Sequence, residues 1–303
     1  MSTTPIFDVI IPTYNNLSEL KECLHGFTQQ TLTNFRVILC VDGSTDGTQD
    51  YLNSTSFLFT HIVVEHPDKL NHGRNPTRNL ALPYITAKYI CFFDSDIIPN
   101  AELLAEHYKQ LTQCNCISVG DVHYTNTATN LWAAYAQSRG KNKYQHGDNI
   151  PYYYMATGNC AHNAQYFVAL NGQDPQITKY GGGDTEYAIR LHKQFHQPVV
   201  FTQHAFGTSE MNKITEQALQ QMEEFGKVNL PYIHKKHPDV PQIFGLQILQ
   251  STTFRHWCIR LFILKPLAHL LETLLPLLPR VVALRALHYC VMNRIVVGWK
   301  KRL

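Results

Sequence analysis

None of the eight cysteines of this 303-residue chain belongs to a Cys-x-x-Cys pair. Cys114 and Cys116 stand too close for an ordinary zinc half-site, and Cys40, Cys91 and Cys160 lie in apolar, strand-like runs. Reduced thiols in a cytoplasmic setting fit that usage better than a disulfide framework. A dinucleotide fingerprint is also missing, because Gly43 and Gly47 are wrongly spaced for G-x-G-x-x-G, and no Walker lysine appears. Neither a dehydrogenase nor a P-loop NTPase is therefore expected. The start, Met1-Ser2-Thr3-Thr4-Pro5, lacks a basic and an apolar region, so no signal peptide is expected. The Leu-rich stretch from Ile259 to Leu278 is broken by Arg260, Lys265 and Glu272, so no uninterrupted span of membrane length is expected either.

Charge is scarce, at 16% Asp, Glu, Lys and Arg, and it is unevenly spread. From Ile243 onward nine Lys or Arg face Glu272 alone, a net +8, which leaves −5 for the rest of a chain whose total is +3. An acidic body with a basic, Leu-rich tail suggests two jobs, and nucleic acid is not an expected partner. We divide the chain into a body, 1–241, and a tail, 242–303.

Within the body, Tyr89-Ile90-Cys91-Phe92-Phe93 has the length and aromatic bias of a buried strand and runs straight into Asp94-Ser95-Asp96. Residues i and i+2 of an extended segment point the same way, so both carboxylates can face one ligand beyond the strand's end. Like charges held that close repel, and a hard cation, Mg²⁺ or Mn²⁺ carrying a substrate phosphate, would relieve them. An isolated Asp-Ser-Asp serves equally well as a loop cap.

Phe7–Ile11 and Phe35–Val41 read as further buried strands. Between them, Leu20, Cys23, Leu24 and Phe27 repeat with helical spacing behind a capping box of Asn16 and Glu19. The second strand ends in Asp42-Gly43-Ser44-Thr45-Asp46-Gly47, before a short helix around Thr48 to Leu52. This cadence predicts an α/β fold with a mostly parallel central sheet, right-handed crossovers and ligands beyond the strands' carboxyl ends, where Asp42, Asp94 and Asp96 would sit.

Asn75 and Pro76 read as a helix cap and first helical position, which brings Arg74 and Arg78 near enough to neutralise a diphosphate, or leaves them on a solvated helix start. Asn100 can cap a helix through Gln113 with Leu104, Tyr108 and Leu111 inward, and Cys116–Val119 is a short strand. From Leu131 to Tyr154, Trp132, Tyr135, Tyr144 and Tyr152-Tyr153-Tyr154 are interleaved with Arg139-Gly140-Lys141-Asn142-Lys143. Such aromatics are platforms for sugar rings and the basic loop can close over phosphate, or the run is a domain edge. Gly158 and Asn159 lie in the next polar segment. Gly181-Gly182-Gly183 then precede Asp184 at a helix start. There the dipole favours an ionised base, though an ordinary Asp N-cap has the same spacing. Val199–His204 is a short strand ending in a histidine that is either structural or a further metal ligand.

In their order, Pro12-Thr13-Tyr14-Asn15, Asp42 to Thr48, Gly73 to Asn79, Asp94-Ser95-Asp96, Gly182 to Glu186 and His204 resemble a family-2 glycosyltransferase with the nucleotide-diphosphosugar transferase (GT-A) fold. The resemblance spans about residues 6–207. It implies a Rossmann-like α/β domain, with the tail as a C-terminal helical appendage, and a UDP-sugar donor. Pro12, Thr13, Tyr14, Asn15 and Asp42 would hold the nucleotide. Gly73, Arg78, Ser95, Gly182 and Gly183 would complete the donor site, with Asp94 at the ribose and metal. It also implies Mn²⁺ or Mg²⁺ on Asp94, Asp96 and His204, and Asp184 as the base that deprotonates an acceptor hydroxyl, with inversion at the anomeric carbon. Trp132, Tyr153, Gly158 and Asn159 would meet a glycan or lipid-linked acceptor of cell-envelope or polysaccharide synthesis. A Glu-Asp pair is commoner where this chain has Gly183-Asp184, so the sugar is left open.

In the tail, Leu267, Leu270, Leu271, Leu274, Leu275 and Leu278 form a broad stripe beside basic residues. That pattern suits an interfacial helix on anionic lipid, peripheral on the inner face of a membrane; it suits equally a helical subdomain packed on the core or a homodimer contact.

Overall fold

The computed structural model describes residues 4–141, 143–245 and 265–301. Two compact units are present. Of the described residues, one comprises 4–125, 140–141, 143–178 and 183–210; the other gathers 126–139, 179–182, 211–245 and 265–301, so two segments distant in sequence join the tail.

The first unit is built on a sheet ordered β3-β2-β1-β4-β8-β6-β9-β5, with β7 paired to β9. These strands are β1 (Phe7–Thr13), β2 (Phe35–Val41), β3 (Thr60–Glu65), β4 (Tyr89–Phe93), β5 (Ile98–Pro99), β6 (Ile117–Tyr124), β7 (Asn149–Ile150), β8 (Asn159–Asn163) and β9 (Val199–Ser209). Strands β3, β2, β1 and β4 are parallel, as the strand–helix alternation of this half requires. Beyond β4 the sheet is mixed, because β8 runs antiparallel to both β4 and β6. That reversal puts the start of β8 beside the end of β4, Asn159 against Phe93.

Both faces of the sheet are covered, which is why its strands read as continuous apolar runs. Val9, Ile11, Val37, Leu39, Cys91 and Phe93 pack on one side with Leu20, Cys23, Leu24 and Phe27 of α1 (Leu17–Thr28) and Leu104 and Leu111 of α4 (Leu103–Gln113). Ile10, Ile38, Ile90 and Phe92 pack on the other with Phe167 of α6 (Ala164–Ala169) and Tyr187, Ala188 and Leu191 of α7 (Gly183–Phe195). Burying each of these large side chains stabilises the fold by about 1.5–3 kcal/mol. Two short helices, α2 (Thr48–Ser54) and α3 (Arg74–Asn79), lead away from the loops at the sheet's carboxyl edge.

Several local expectations are corrected. Asn16 does not cap α1 with its side chain; Asp46 accepts the Leu17 N–H at 2.8 Å, since Asn16 is occupied with Thr13 and Ser95. Gly73, at φ +88°, precedes α3 in place of Asn75, because a side chain there would run into the Thr178 carbonyl at 2.5 Å. Tyr108 lies 36% exposed, while His107, one residue earlier, is the buried member of α4. The last long strand does not stop at His204 but continues to Ser209.

The second unit is helical: α5 (Leu131–Arg139), α8 (Thr215–Lys227), α9 (Asn229–Lys236), α10 (Val240–Ile243), α11 (Lys265–Leu274) and α12 (Arg280–Lys300). Outside the stretch from Ile259 to Leu278, α12 is long and apolar enough to cross a membrane by length and composition, but half of its apolar window is buried within the protein. Its backbone approaches that of α8 at Gly226 and Gly298, where a Cβ would strike the Ile295 and Glu223 carbonyls. Arg294 of α12 bonds Glu272 and Glu223, which satisfies its charge inside the helical unit. The expected tail stripe is divided: Leu275 is buried, Leu270 exposed, and the most exposed apolar residues of the described tail, Leu277 at 79% and Val281 at 66%, lie at the turn into α12. Arg255, Arg260 and the stretch from Ile259 to 264 lie outside the described residues, as does Asn142 of the basic loop.

Candidate active site

Strand β4 ends at Phe93, so Asp94 and Asp96 owe their proximity to a turn, closed by the Ile97 N–H on the Asp94 carbonyl at 3.2 Å, rather than to strand alternation. Asp94 is half-buried and ion-paired with Arg78, Nη2 to Oδ1 2.6 Å. Burial alone would raise its carboxyl. Arg78 and, after it, Arg74 outweigh that and hold it below the ordinary carboxylate range. Asp96 is exposed at the rim, and burial of its surroundings together with the Asp94 charge pushes its carboxyl up. No hydrogen bond from another residue reaches it among the described residues. A hard cation fits this donor set: one carboxylate already neutralised by arginine, its neighbour unpartnered and destabilised by like charge. Ser95 is buried and accepts from Asn16 Nδ2 at 2.7 Å, which ties the turn to the end of β1.

Around that end, Pro12 and Thr13 are buried and Tyr14 is 49% exposed. Asn15 adopts φ +47° and accepts the Thr45 N–H at 2.8 Å. Asp42 does not face outward. Its two oxygens accept from Asn71 Nδ2 and from the His72 and Gly73 N–H groups, at 2.7–3.0 Å. A buried carboxylate surrounded by loop donors holds the segment that leads into α3. Arg78, expected to meet diphosphate, is likewise buried and committed to Asp94, whereas Arg74 is exposed.

Asp184 lies in the first turn of α7, half-buried, and accepts a hydrogen bond from the hydroxyl of fully buried Thr157. Gly183 leaves no room for the Glu side chain commoner there, since a Cβ would stand 2.7 Å from Asn75 Oδ1. Asn75 is held in turn by donation to the Asp174 carbonyl, 3.1 Å. Gly182, in the helical unit, packs against Phe225 and Ile233 of that unit.

Of the expected acceptor residues, Tyr153 is 40% exposed and Trp132 is buried against Tyr135, so Trp132 offers no open ring face. Gly158 lies against Asp94, where a Cβ would be 3.0 Å from Oδ2. Asn159 is buried and donates to the Asp121 and Ala205 carbonyls, 2.9 Å each, so its Oδ1 is the acceptor for His107 Nε2 at 2.9 Å. Burial pushes His107 down to about 4, and the neutral ring accepts from Ser118 Oγ at 2.7 Å. Lys141 of the basic loop is buried 3.8 Å from Asp121, with its ammonium pKa lowered by burial, rather than poised over a phosphate. His204 is exposed and its ring lies against His146 at 4.5 Å. Among the described residues no three His, Cys, Asp or Glu side chains form a group that could hold a metal ion, so His204 does not join Asp94 and Asp96 in one.

Thr157 and the His107 network had no signal as single residues, and Asn75 was read only as a helix cap.

Matched against known families, residues 8–172, more than half of the chain, fit the model described as "Glycosyl transferase family 2". The chain belongs to that family. Chondroitin synthase of Escherichia coli is 22% identical over 275 residues, covering 75% of this glycosyltransferase and 39% of that protein. The chain spans less than half the length of the curated relatives it matches. Among solved structures, the mannosyltransferase PcManGT from Pyrobaculum calidifontis, in complex with GDP-Man and Mn²⁺, superimposes with TM-score 0.62 at 15% identity, over 99% of this chain and 89% of that one. TarS residues 1–349 of S. aureus in complex with UDP-GlcNAc superimposes with TM-score 0.56 at 16% identity, over 98% and 91%. These likenesses show the GT-A fold of the glycosyltransferase: a Rossmann-like sheet flanked by helices.

Proposed function

We propose that this glycosyltransferase moves a sugar from a UDP-sugar to a hydroxyl of a glycan or lipid-linked acceptor, with inversion and with Mn²⁺ or Mg²⁺, in polysaccharide or cell-envelope synthesis. The observation that carries the reading is the pair of unlike acidic sites flanking one turn: Asp94 and Asp96 at the end of β4, and Asp184 at the start of α7. Neighbours of the same fold hold UDP-GlcNAc, or GDP-Man with Mn²⁺, which supports a nucleotide sugar and a divalent ion. The name chondroitin synthase supports a polysaccharide product.

In this mechanism Asp96, with Asp94 behind it, would hold the ion, whose positive charge would offset the negative charge of the diphosphate. Arg78 keeps Asp94 ionised and in place. Arg74, exposed beside both carboxylates, faces the diphosphate, and the Tyr14 ring is available to stack on the base. Asp184 takes the acceptor's proton while the Thr157 hydroxyl fixes one of its oxygens, leaving the other for the acceptor. Attack from the side opposite the leaving nucleotide inverts the anomeric carbon.

Exposed Leu270, Leu277, Val281 and Val282 beside exposed Arg285 support a tail that meets an anionic membrane surface, where a lipid-linked acceptor would be found.

A panel of UDP- and GDP-sugars with Mn²⁺, then with chelator, tests the reading. Chelator-sensitive UDP release and an inverted product by NMR are expected. Release of pyrophosphate would instead indicate a nucleotidyltransferase, and a retained configuration would remove the inverting step.

A further inference from the structure

Two adjacent residues touch both halves of the site. Thr157 donates its hydroxyl to Asp184, and Gly158 lies so near Asp94 that an added Cβ would stand 3.0 Å from Oδ2, while its carbonyl accepts the Asp94 N–H at 3.1 Å. Neither can drift. The turn is closed by the Asn159 N–H on the Ala156 carbonyl, Thr157 is 0% exposed, and Asn159 pairs with Phe93 in the sheet. The Asn159 side chain is bolted by its amide to β6 and β9 and by its carbonyl to His107 of α4. Asp94 and Asp184 are 90 positions apart in sequence and sit on separate elements, yet one two-residue brace sets the place of each.

We infer that Thr157 and Gly158 form a positioning element for transfer: Thr157 orients the base and Gly158 seats the ion-side carboxylate. The inference rests on the proposed roles of Asp94 and Asp184. Thr157 is buried and acts through Asp184. Its hydroxyl takes one Asp184 oxygen and so decides which lone pair meets the acceptor. Since a misplacement of about 1 Å can cost on the order of a hundredfold in rate, losing it should act on turnover and not on donor binding.

The test uses the full chain, with UDP release from the best sugar of the donor panel as the rate and calorimetric binding of UDP with Mn²⁺ as a second readout. For Thr157→Val, which keeps volume and removes the hydroxyl, kcat is expected to fall by about ten- to a hundredfold. KM for donor and Kd for UDP with Mn²⁺ should stay within about threefold of the parent, and Thr157→Ser should recover most of the loss. Gly158→Ala is the reciprocal arm: its methyl displaces Asp94, so Kd for UDP with Mn²⁺ should weaken severalfold. Parental kcat in T157V, or an equal loss in T157S, overturns the role of Thr157; parental UDP–Mn²⁺ affinity in G158A overturns that of Gly158. Failure of the underlying reading looks different: Asp184→Asn would then retain parental turnover whatever the Thr157 variants do.

Discussion

Replacing Arg78 by Met keeps most of the side-chain volume and deletes the charge opposite Asp94. The guanidinium is 3% exposed and the carboxylate 22%. Removing one partner of a buried pair costs about 3–5 kcal/mol; water at the partly exposed carboxylate reduces this, and we expect about 2–3 kcal/mol at neutral pH. The pH dependence identifies the cause. In the parent, Arg78 and Arg74 hold the Asp94 carboxyl below its ordinary value, so the pair contributes stability that is complete above the carboxylate range and lost as pH falls through the folded value. In Arg78→Met, burial and the Asp96 charge act with less opposition and the carboxyl protonates at higher pH. The gap between parent and variant should therefore narrow between pH 7 and about pH 4. Urea unfolding at both pH values, with the double variant Arg78→Met/Asp94→Asn, measures this; the double variant should regain most of the loss. A penalty below about 0.5 kcal/mol at pH 7, one that is equal at both pH values, or one undiminished in the double variant, refutes the reasoning.

Asp184→Asn should lower turnover by about a hundred- to ten-thousandfold while UDP still binds with Mn²⁺; Asp96→Ala should abolish that binding, and calorimetry separates the two. His107 and His162 are both pushed down to about 4 by burial, so each contributes stability that is full above about pH 6.5 and lost as pH falls through 4. The loss is on the order of 3 kcal/mol per ring, and chemical denaturation across that window should show His107→Gln less acid-sensitive than the parent. Leu277→Asp with Val281→Asp should reduce co-sedimentation with phosphatidylglycerol vesicles, leaving sugar transfer to a soluble acceptor intact. Unchanged sedimentation would count against a lipid-facing tail.

The apolar runs of β1, β2 and β4 and the 3-4 spacing of Leu20, Cys23, Leu24 and Phe27 were legible without coordinates, because a strand buried on both faces and a helix buried on one leave periodicities in the chain itself. The acidic motifs were legible for a related reason: Asp94-Ser95-Asp96 and Gly183-Asp184 are contiguous, so their chemistry needs no fold to be noticed. What those residues touch was not. The resemblance set Asp42 and Arg78 on nucleotide, yet the loop 71–73 takes up the Asp42 oxygens, and Arg78 is spent on Asp94, sixteen positions away. Asn159 was read as facing an acceptor, and it is a buried tie between three strands and α4.

The sequence by itself thus determined the fold class, the family and the acidic residues, all encoded in local order. Only tertiary structure decided which of them stand free. A polar side chain's role depends on whether burial has already supplied its partners, and at Thr157, Gly158 and Asn75 those partners come from elements far along the chain that folding alone brings near.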